Sequence, residues 1–304
     1  MPKVDFPFTG IPTFCKLPFY SPEEEPPPQV VILGIPYDEG ATAHPGARFG
    51  PRSIREASTL YPYYKRGRGY FDIEEKKVFL ASLEIRDGSD VAIVPTQREE
   101  NFQRIIQAIK DLRSRSIFPI CLGGDHSVTF PILQAYDGPP FHLFQLDAHL
   151  DFAASFEGAS YTHGSPMRRA LELPYIKSLT QVGIRSIISS EEDYRSALDQ
   201  GNRIFTARDL TLLKDYSSLL PGDEPLYISL DVDVLDPSQA PGTGYPEPGG
   251  LSYLQVRAIL KAITKKGKVI GMDLVEVNPY LDPSRITALM ASRLILDFLG
   301  FIYG

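Results

Sequence analysis

The sequence predicts a single three-layer α/β/α domain around a parallel sheet of about eight strands. Three observations predict it. From Gln29 onward, short β-rich apolar runs alternate with amphipathic stretches, the pattern of strand–helix–strand crossovers with helices on both faces. Several apolar runs end directly in polar, acid-rich motifs, and the carboxyl ends of strands are where function collects in open parallel sheets. No internal repeat and no low-complexity linker divides the 304 residues.

Residues 1–28, rich in proline and aromatics and finishing in Glu23-Glu24-Glu25-Pro26-Pro27-Pro28, read as an irregular arm lying over the domain or a neighbour, and 29–304 form the domain proper. The predicted strands are 30–35, 78–80, 117–122, 141–146, 179–184, 203–205, 226–230 and 268–274. Helices are predicted over 101–113, where Phe102, Ile105, Ile106 and Ile109 fall near helical spacing, and over 253–263 and 286–299.

Composition narrows the function. With 31 basic against 38 acidic residues, the net charge of −7 argues against a nucleic-acid partner, which normally leaves a basic footprint. Cys15 and Cys121 form no C-x-x-C pair, so neither a disulfide framework nor a thiolate metal site is expected, and a reducing cytoplasm fits. Cys121 lies inside a strand and reads as a small buried hydrophobe. No signal-peptide-like stretch opens the chain and no run of 18 apolar residues occurs, so neither secretion nor membrane spanning is expected. No phosphate-binding G-x-x-x-x-G-K or G-x-G-x-x-G follows a strand, which sets nucleotide binding aside.

Two histidines and four aspartates carry the chemistry. They are His126 in Gly123-Gly124-Asp125-His126-Ser127, Asp147, His149 and Asp151 in Asp147-Ala148-His149-Leu150-Asp151, and Asp231 and Asp233 in Ser229-Leu230-Asp231-Val232-Asp233. In extended backbone residues i and i+2 face the same way, so Asp147 with His149, and Asp231 with Asp233, act as pincers. Each motif alone reads as a polar strand end. Together, so many carboxylates beside apolar strands repel one another and resist desolvation unless cations neutralise them. Six ligands exceed one tetrahedral zinc, and an oxygen-rich set with imidazole suits two divalent ions of the manganese type.

Read together, these motifs resemble the ureohydrolase family, which includes arginase and agmatinase. The resemblance runs from about Gly34 to Pro279 and includes His44-Pro45-Gly46-Ala47-Arg48-Phe49-Gly50-Pro51-Arg52, His163-Gly164, Val234-Leu235-Asp236-Pro237, Ala240-Pro241-Gly242-Thr243-Gly244 and Asp273-Leu274-Val275-Glu276-Val277-Asn278-Pro279. It implies an arginase/deacetylase-like fold, a homo-oligomer (trimer or hexamer) and two Mn2+ per chain. It further implies that Asp147 and Asp231 bridge the ions, with His126 and Asp151 completing one and His149 and Asp233 the other. The catalytic set it implies is His163, Glu276 and Asp151: His163 as proton donor or shuttle, Glu276 as the carboxylate that pairs with a substrate guanidinium. Asp125 is expected to orient His126 or to cap the helix near Ser127, Asp236 to form a turn, His142 to be a core residue, and His44 to approach the site mouth.

The substrate expected is a small cationic guanidine, agmatine above others. Ala153 and Ile188 stand where arginases carry an asparagine and an aspartate for the amino-acid head group, and the 152–162 loop holds one acid, Glu157, and no base, so Glu157 is expected at the substrate tail. Tyr245 replaces the small residue common in agmatinases and is expected to reshape specificity. The alternatives are a guanidino acid (guanidinobutyrate, guanidinopropionate), formiminoglutamate or arginine as substrate. More remote are a single-metal deacetylase-like amide hydrolase and a catalytically silent binding protein.

Overall fold

The computed structural model describes residues 6–62 and 68–304; the first five residues of the expected arm lie outside it. Ten strands are described: β1 (Val30–Gly34), β2 (Tyr70–Asp72), β3 (Lys77–Phe79), β4 (Ile85–Asp90), β5 (Phe118–Leu122), β6 (Phe141–Leu146), β7 (Ile176–Ile184), β8 (Arg203–Thr206), β9 (Leu226–Asp231) and β10 (Val269–Val275). The helices are α1 (Gly50–Ser58), α2 (Arg98–Ser114), α3 (Thr129–Gln134), α4 (Pro166–Ala170), α5 (Glu191–Asp199), α6 (Ala207–Leu212), α7 (Tyr253–Lys266) and α8 (Ile286–Tyr303).

Eight strands form one sheet in the order β4-β1-β5-β10-β9-β6-β7-β8, with every pairing parallel. The three-layer expectation holds, because the strands bury both faces. In β1, Val30 and Ile32 join one core while Val31 and Leu33 join the other; in β9, Leu226, Ile228 and Leu230 face the first and Tyr227 the second. Side chains from α1, α7 and α8 fill the first core, and side chains from α2, α3, α4 and α5 the second. Helix α8 is long and apolar enough to cross a membrane by length and composition, but 61% of it is buried inside the fold, as a core helix should be.

One predicted strand is misplaced. Residues 78–80 do not enter the main sheet: β3 pairs antiparallel with β2 in a separate two-stranded ribbon. The eighth strand is β4, whose sequence Ile-Arg-Asp-Gly-Ser-Asp offers no apolar run. Tertiary ion pairs hold it. Arg55 of α1 reaches Asp87 at 2.9 Å and Asp90 at 2.6 Å. The arm joins the same place: Phe14 is fully buried, its amide donates to Asp87 Oδ2 at 2.6 Å, and Phe19 forms a parallel bridge with Asp87.

Candidate metal centre and active-site cavity

The four adjacent central strands β5, β10, β9 and β6 all end on one side of the sheet, and each delivers part of the site. After β5 the chain turns into a short 3-10 helix, His126–Val128, capped by Asp125, whose side chain accepts from the Ser127 amide. After β9 the same device recurs, with Asp231 capping Val232–Val234 and accepting from the Asp233 amide at 2.9 Å. After β6, Asp147 Oδ1 accepts from the His149 amide at 2.6 Å. These tight local turns fold each pincer back on itself.

The structure brings all six candidate ligands together. His126, Asp147, Asp151 and Asp231 form one cluster able to hold a cation, and Asp147, His149 and Asp233 a second, with Asp147 common to both. Asp231 groups with the first cluster; its sharing between two ions rests on the resemblance alone. His126 Nδ1 lies 2.7 Å from Asp151, 3.1 Å from Asp147 and 3.2 Å from Asp231, yet makes no well-directed hydrogen bond to any of them. His149 Nδ1 lies 2.9 Å from Asp233.

The other side of the His126 ring explains that orientation. Nε2 lies 2.9 Å from Ser229 Oγ, and Ser229 donates its only proton to the buried Asp273 at 2.7 Å. Ser229 therefore accepts from Nε2–H, which points Nδ1 among the three carboxylates, the nitrogen that would bind a metal once its proton is lost. Asp147 is oriented by buried amides: Gln145 Nε2 donates to it at 2.6 Å, Gln181 donates to Gln145, and Asn202 to Gln181.

Without cations this cluster is frustrated. Burial, then Asp233 and Asp147, push the Asp231 carboxyl well above its ordinary range. Burial and Asp147 raise Asp151 to about 6. Burial also works against Asp147, but contacts with His126 and His149 outweigh it and hold that group below the carboxylate range. Protons must therefore stand in for positive charge, and the donor set fits two divalent ions that would replace them.

Beside the clusters, Glu276 Oε1 accepts from the His126 amide at 2.8 Å and lies 3.1 Å from His163 Nδ1. Glu276 and Asp151 both adopt left-handed backbone, φ 64° and φ 49°, a costly conformation for side chains other than glycine that concentrates at functional sites. His163 is half-buried: burial lowers its proton affinity, but the hydrogen bond and charge of Glu276, with Asp125 and Asp151 behind, raise it to about 9. A cavity of about 250 Å³ opens over these groups, walled by Phe152, Ala153, Phe156, Ile188, Ser189, Asp193 and Tyr245.

Several expectations change. Glu157 does not reach the cavity: it is exposed in the turn of its loop and is not among the lining residues. The acid on the wall is Asp193, in the first turn of α5, the helix that follows β7; Ala153 and Ile188 also line the space. Asp125 makes no bond to the His126 ring; it caps its turn and binds the Gly40 amide at 2.7 Å. His44 is exposed and lies off the cavity lining, and His142 is a core residue bonded to Ser178 and Thr180, with burial lowering it to about 4. Asp236 closes a turn by accepting from Ser238, Gly249 and Gly250. Thr42 and Arg185 escaped sequence reasoning; Arg185 clamps the backbone carbonyls of Asp233 and Glu247 at 2.7 and 2.8 Å.

Residues 28–300 match the arginase family. The chain belongs to the arginase family. As an arginase-family ureohydrolase it is 36% identical over 281 residues to the mitochondrial guanidino acid hydrolase of Homo sapiens, covering 88% of this chain and 76% of that one. It is 35% identical over 286 residues to the mitochondrial agmatinase of Gallus gallus, covering 90% and 81%. The solved proclavaminate amidino hydrolase of Streptomyces clavuligerus superposes with a TM-score of 0.86 at 32% identity over 98% of this chain and 99% of that one.

Proposed function

We propose that this arginase-family chain hydrolyses agmatine to putrescine and urea, with two divalent cations, manganese by preference, held by the two clusters. The observation that carries this is the cavity: Glu276 and both clusters open onto it, and its wall presents Asp193 with no Lys or Arg among the described lining residues. Cations of this kind, when bound, let a water lose its proton near neutral pH and so supply the nucleophile that a resonance-stabilised guanidinium carbon demands.

The chain's own groups do the rest. Glu276, already fixed by the His126 amide, accepts N–H bonds from the planar guanidinium and sets its orientation. His163, raised to about 9, carries its proton at neutral pH and gives it to the departing amine. Phe152, Ala153, Phe156 and Ile188 suit a short methylene chain, and Asp193 suits the ammonium at its end. A substrate carboxylate would find no basic partner on this wall, and desolvating it unpaired costs a few kcal/mol, roughly a hundredfold or more in selectivity.

A guanidino acid is the second reading, and one observation favours it: Arg168 Nη1 lies 3.8 Å from Asp193 Oδ1, so the acid is partly neutralised by a base just behind the wall. The deciding measurement is kcat/KM of manganese-loaded protein on agmatine, arginine, 4-guanidinobutyrate, 3-guanidinopropionate and formiminoglutamate. Agmatine should lead. A guanidino acid in front would move the substrate to the second reading, and hydrolysis of none of them would remove the reaction itself.

A further inference from the structure

Thr42 lies in the loop between β1 and α1, more than 80 residues before the first candidate metal ligand, His126, and is exposed. Its hydroxyl nevertheless stands 2.9 Å from His163 Nε2, and its backbone amide 3.3 Å from the same nitrogen. The loop is keyed to the rest of the site. The His163 amide donates to Gly40 O at 3.0 Å, the Gly40 amide donates to Asp125 Oδ2 at 2.7 Å, and the Asp125 amide donates to Tyr37 O at 2.9 Å. That last approach requires Gly124, where a Cβ would fall 1.7 Å from the Tyr37 carbonyl oxygen.

An imidazole that carries a proton must be held in both of its states. Of the three partners of the His163 ring, the Thr42 amide can only donate and the Glu276 carboxylate, when ionised, can only accept. The Thr42 hydroxyl alone does either, donating to a bare Nε2 and accepting from a protonated one by turning about its C–O bond. Tyr245 supports it from the other side, with its hydroxyl 3.4 Å from Thr42 Oγ1 and its ring 5.4 Å from the His163 ring.

We propose that Thr42 is a positioning residue for His163: its hydroxyl holds Nε2 in either protonation state, so that Nδ1 stays directed at Glu276 while the proton comes and goes. The inference rests on the reading of His163 as the proton carrier. It assigns a role in the reaction to a side chain at the cavity mouth that no motif of the site contains.

The test compares Thr42→Val, which removes the hydroxyl but keeps the β-branch and the amide, with Thr42→Ser, which keeps the hydroxyl. On the best substrate, Thr42→Val should lower kcat about tenfold or more with KM and metal content per chain little changed, while Thr42→Ser stays within about threefold of the parent. A readout independent of turnover comes from two-bond nitrogen–proton correlation spectra of histidine-labelled protein, in which Thr42→Val should displace the His163 ring resonances and leave those of His126 and His149 in place. Equal impairment of the Val and Ser variants, or a Val variant with the parent's kcat, would overturn the proposal. His163→Ala separates the two levels: a collapse of kcat there without one in Thr42→Val rejects only the inference, whereas an unaffected His163→Ala rejects the proton-carrier reading beneath it.

Discussion

Glu276 uses a single carboxylate oxygen to receive both the His126 amide and the His163 ring, so its shape and its charge are separable. Glu276→Gln keeps an acceptor for the amide and removes the charge. The variant should fold with an unchanged circular dichroism spectrum and lose about a hundredfold or more in kcat/KM, and retention of the parent's rate would exclude Glu276 from guanidinium binding. The two ligand histidines make a second prediction. Burial works against charging His149, yet Asp233 and Asp147 raise it to about 12, and His126 is likewise raised well above the ordinary histidine value by the carboxylates around it despite burial. Below about 12 the metal-free chain keeps the His149 ring protonated, and His126 is shifted in the same direction, whereas a metal needs the bare nitrogen. Filling the site at about pH 7.5 should therefore expel about one proton or more per chain, with affinity rising as pH rises; an indicator dye in weak buffer measures it, and no acidification would contradict the assignment. The six candidate ligands were legible because each lies within five residues of the end of an apolar run, and the i, i+2 spacing makes Asp147 with His149, and Asp231 with Asp233, converge. Ser229 and Asp273 were not, since only the register of β9 against β10 sets one beside the other. Glu157 misled because nearness along the chain to Phe152 says nothing about facing, and Asp193 is brought in by the helix after β7.

At the scale of the element, what was readable followed the hydrophobic pattern and what was not followed polar tertiary contacts. The buried strands β1, β5, β6 and β9 announce themselves as apolar runs, and α2, α7 and α8 by their spacing. Strand β4 carries three charged residues in six, and its place in the sheet is settled by Arg55, which sequence patterning does not show. The ribbon of β2 and β3 is likewise held by charge: Arg257 of α7 reaches Asp72 at 2.9 Å and Glu75 at 3.2 Å. Helix α7 itself begins with a reciprocal cap, in which Ser252 accepts from the Gln255 amide while the Gln255 side chain accepts from the Ser252 amide. Ser252→Ala should cost about 1 kcal/mol, read as a lower denaturation midpoint at unchanged slope, with activity per folded chain preserved because the helix lies away from the cavity; an unmoved midpoint would show that packing alone sets the start of α7.

Taken as a whole, the molecule sets its candidate ligands and Glu276 at the end of the four innermost strands, well away from the two outermost, β4 and β8. Those outer strands still carry unpaired backbone donors and acceptors, the usual template for one chain to stitch itself to another. One border, β8, is only four residues long, and Arg203 on it binds the Leu219 carbonyl at 2.7 Å. On the other, the arm acts as a selvedge: the Asp87 amide donates to Pro18 O at 3.0 Å and the Tyr20 amide to Asp87 O at 2.8 Å, so the rim of the sheet is already hemmed by the chain's own backbone. Tyr20→Pro, which deletes that donor, should raise concentration-dependent light scattering on mild heating while leaving kcat/KM of the folded fraction intact, and scattering equal to the parent's would show the hem to be dispensable. The aromatic, proline-rich segment that looks least structured in the sequence is thus the one that occupies backbone hydrogen-bonding groups along an edge of the sheet.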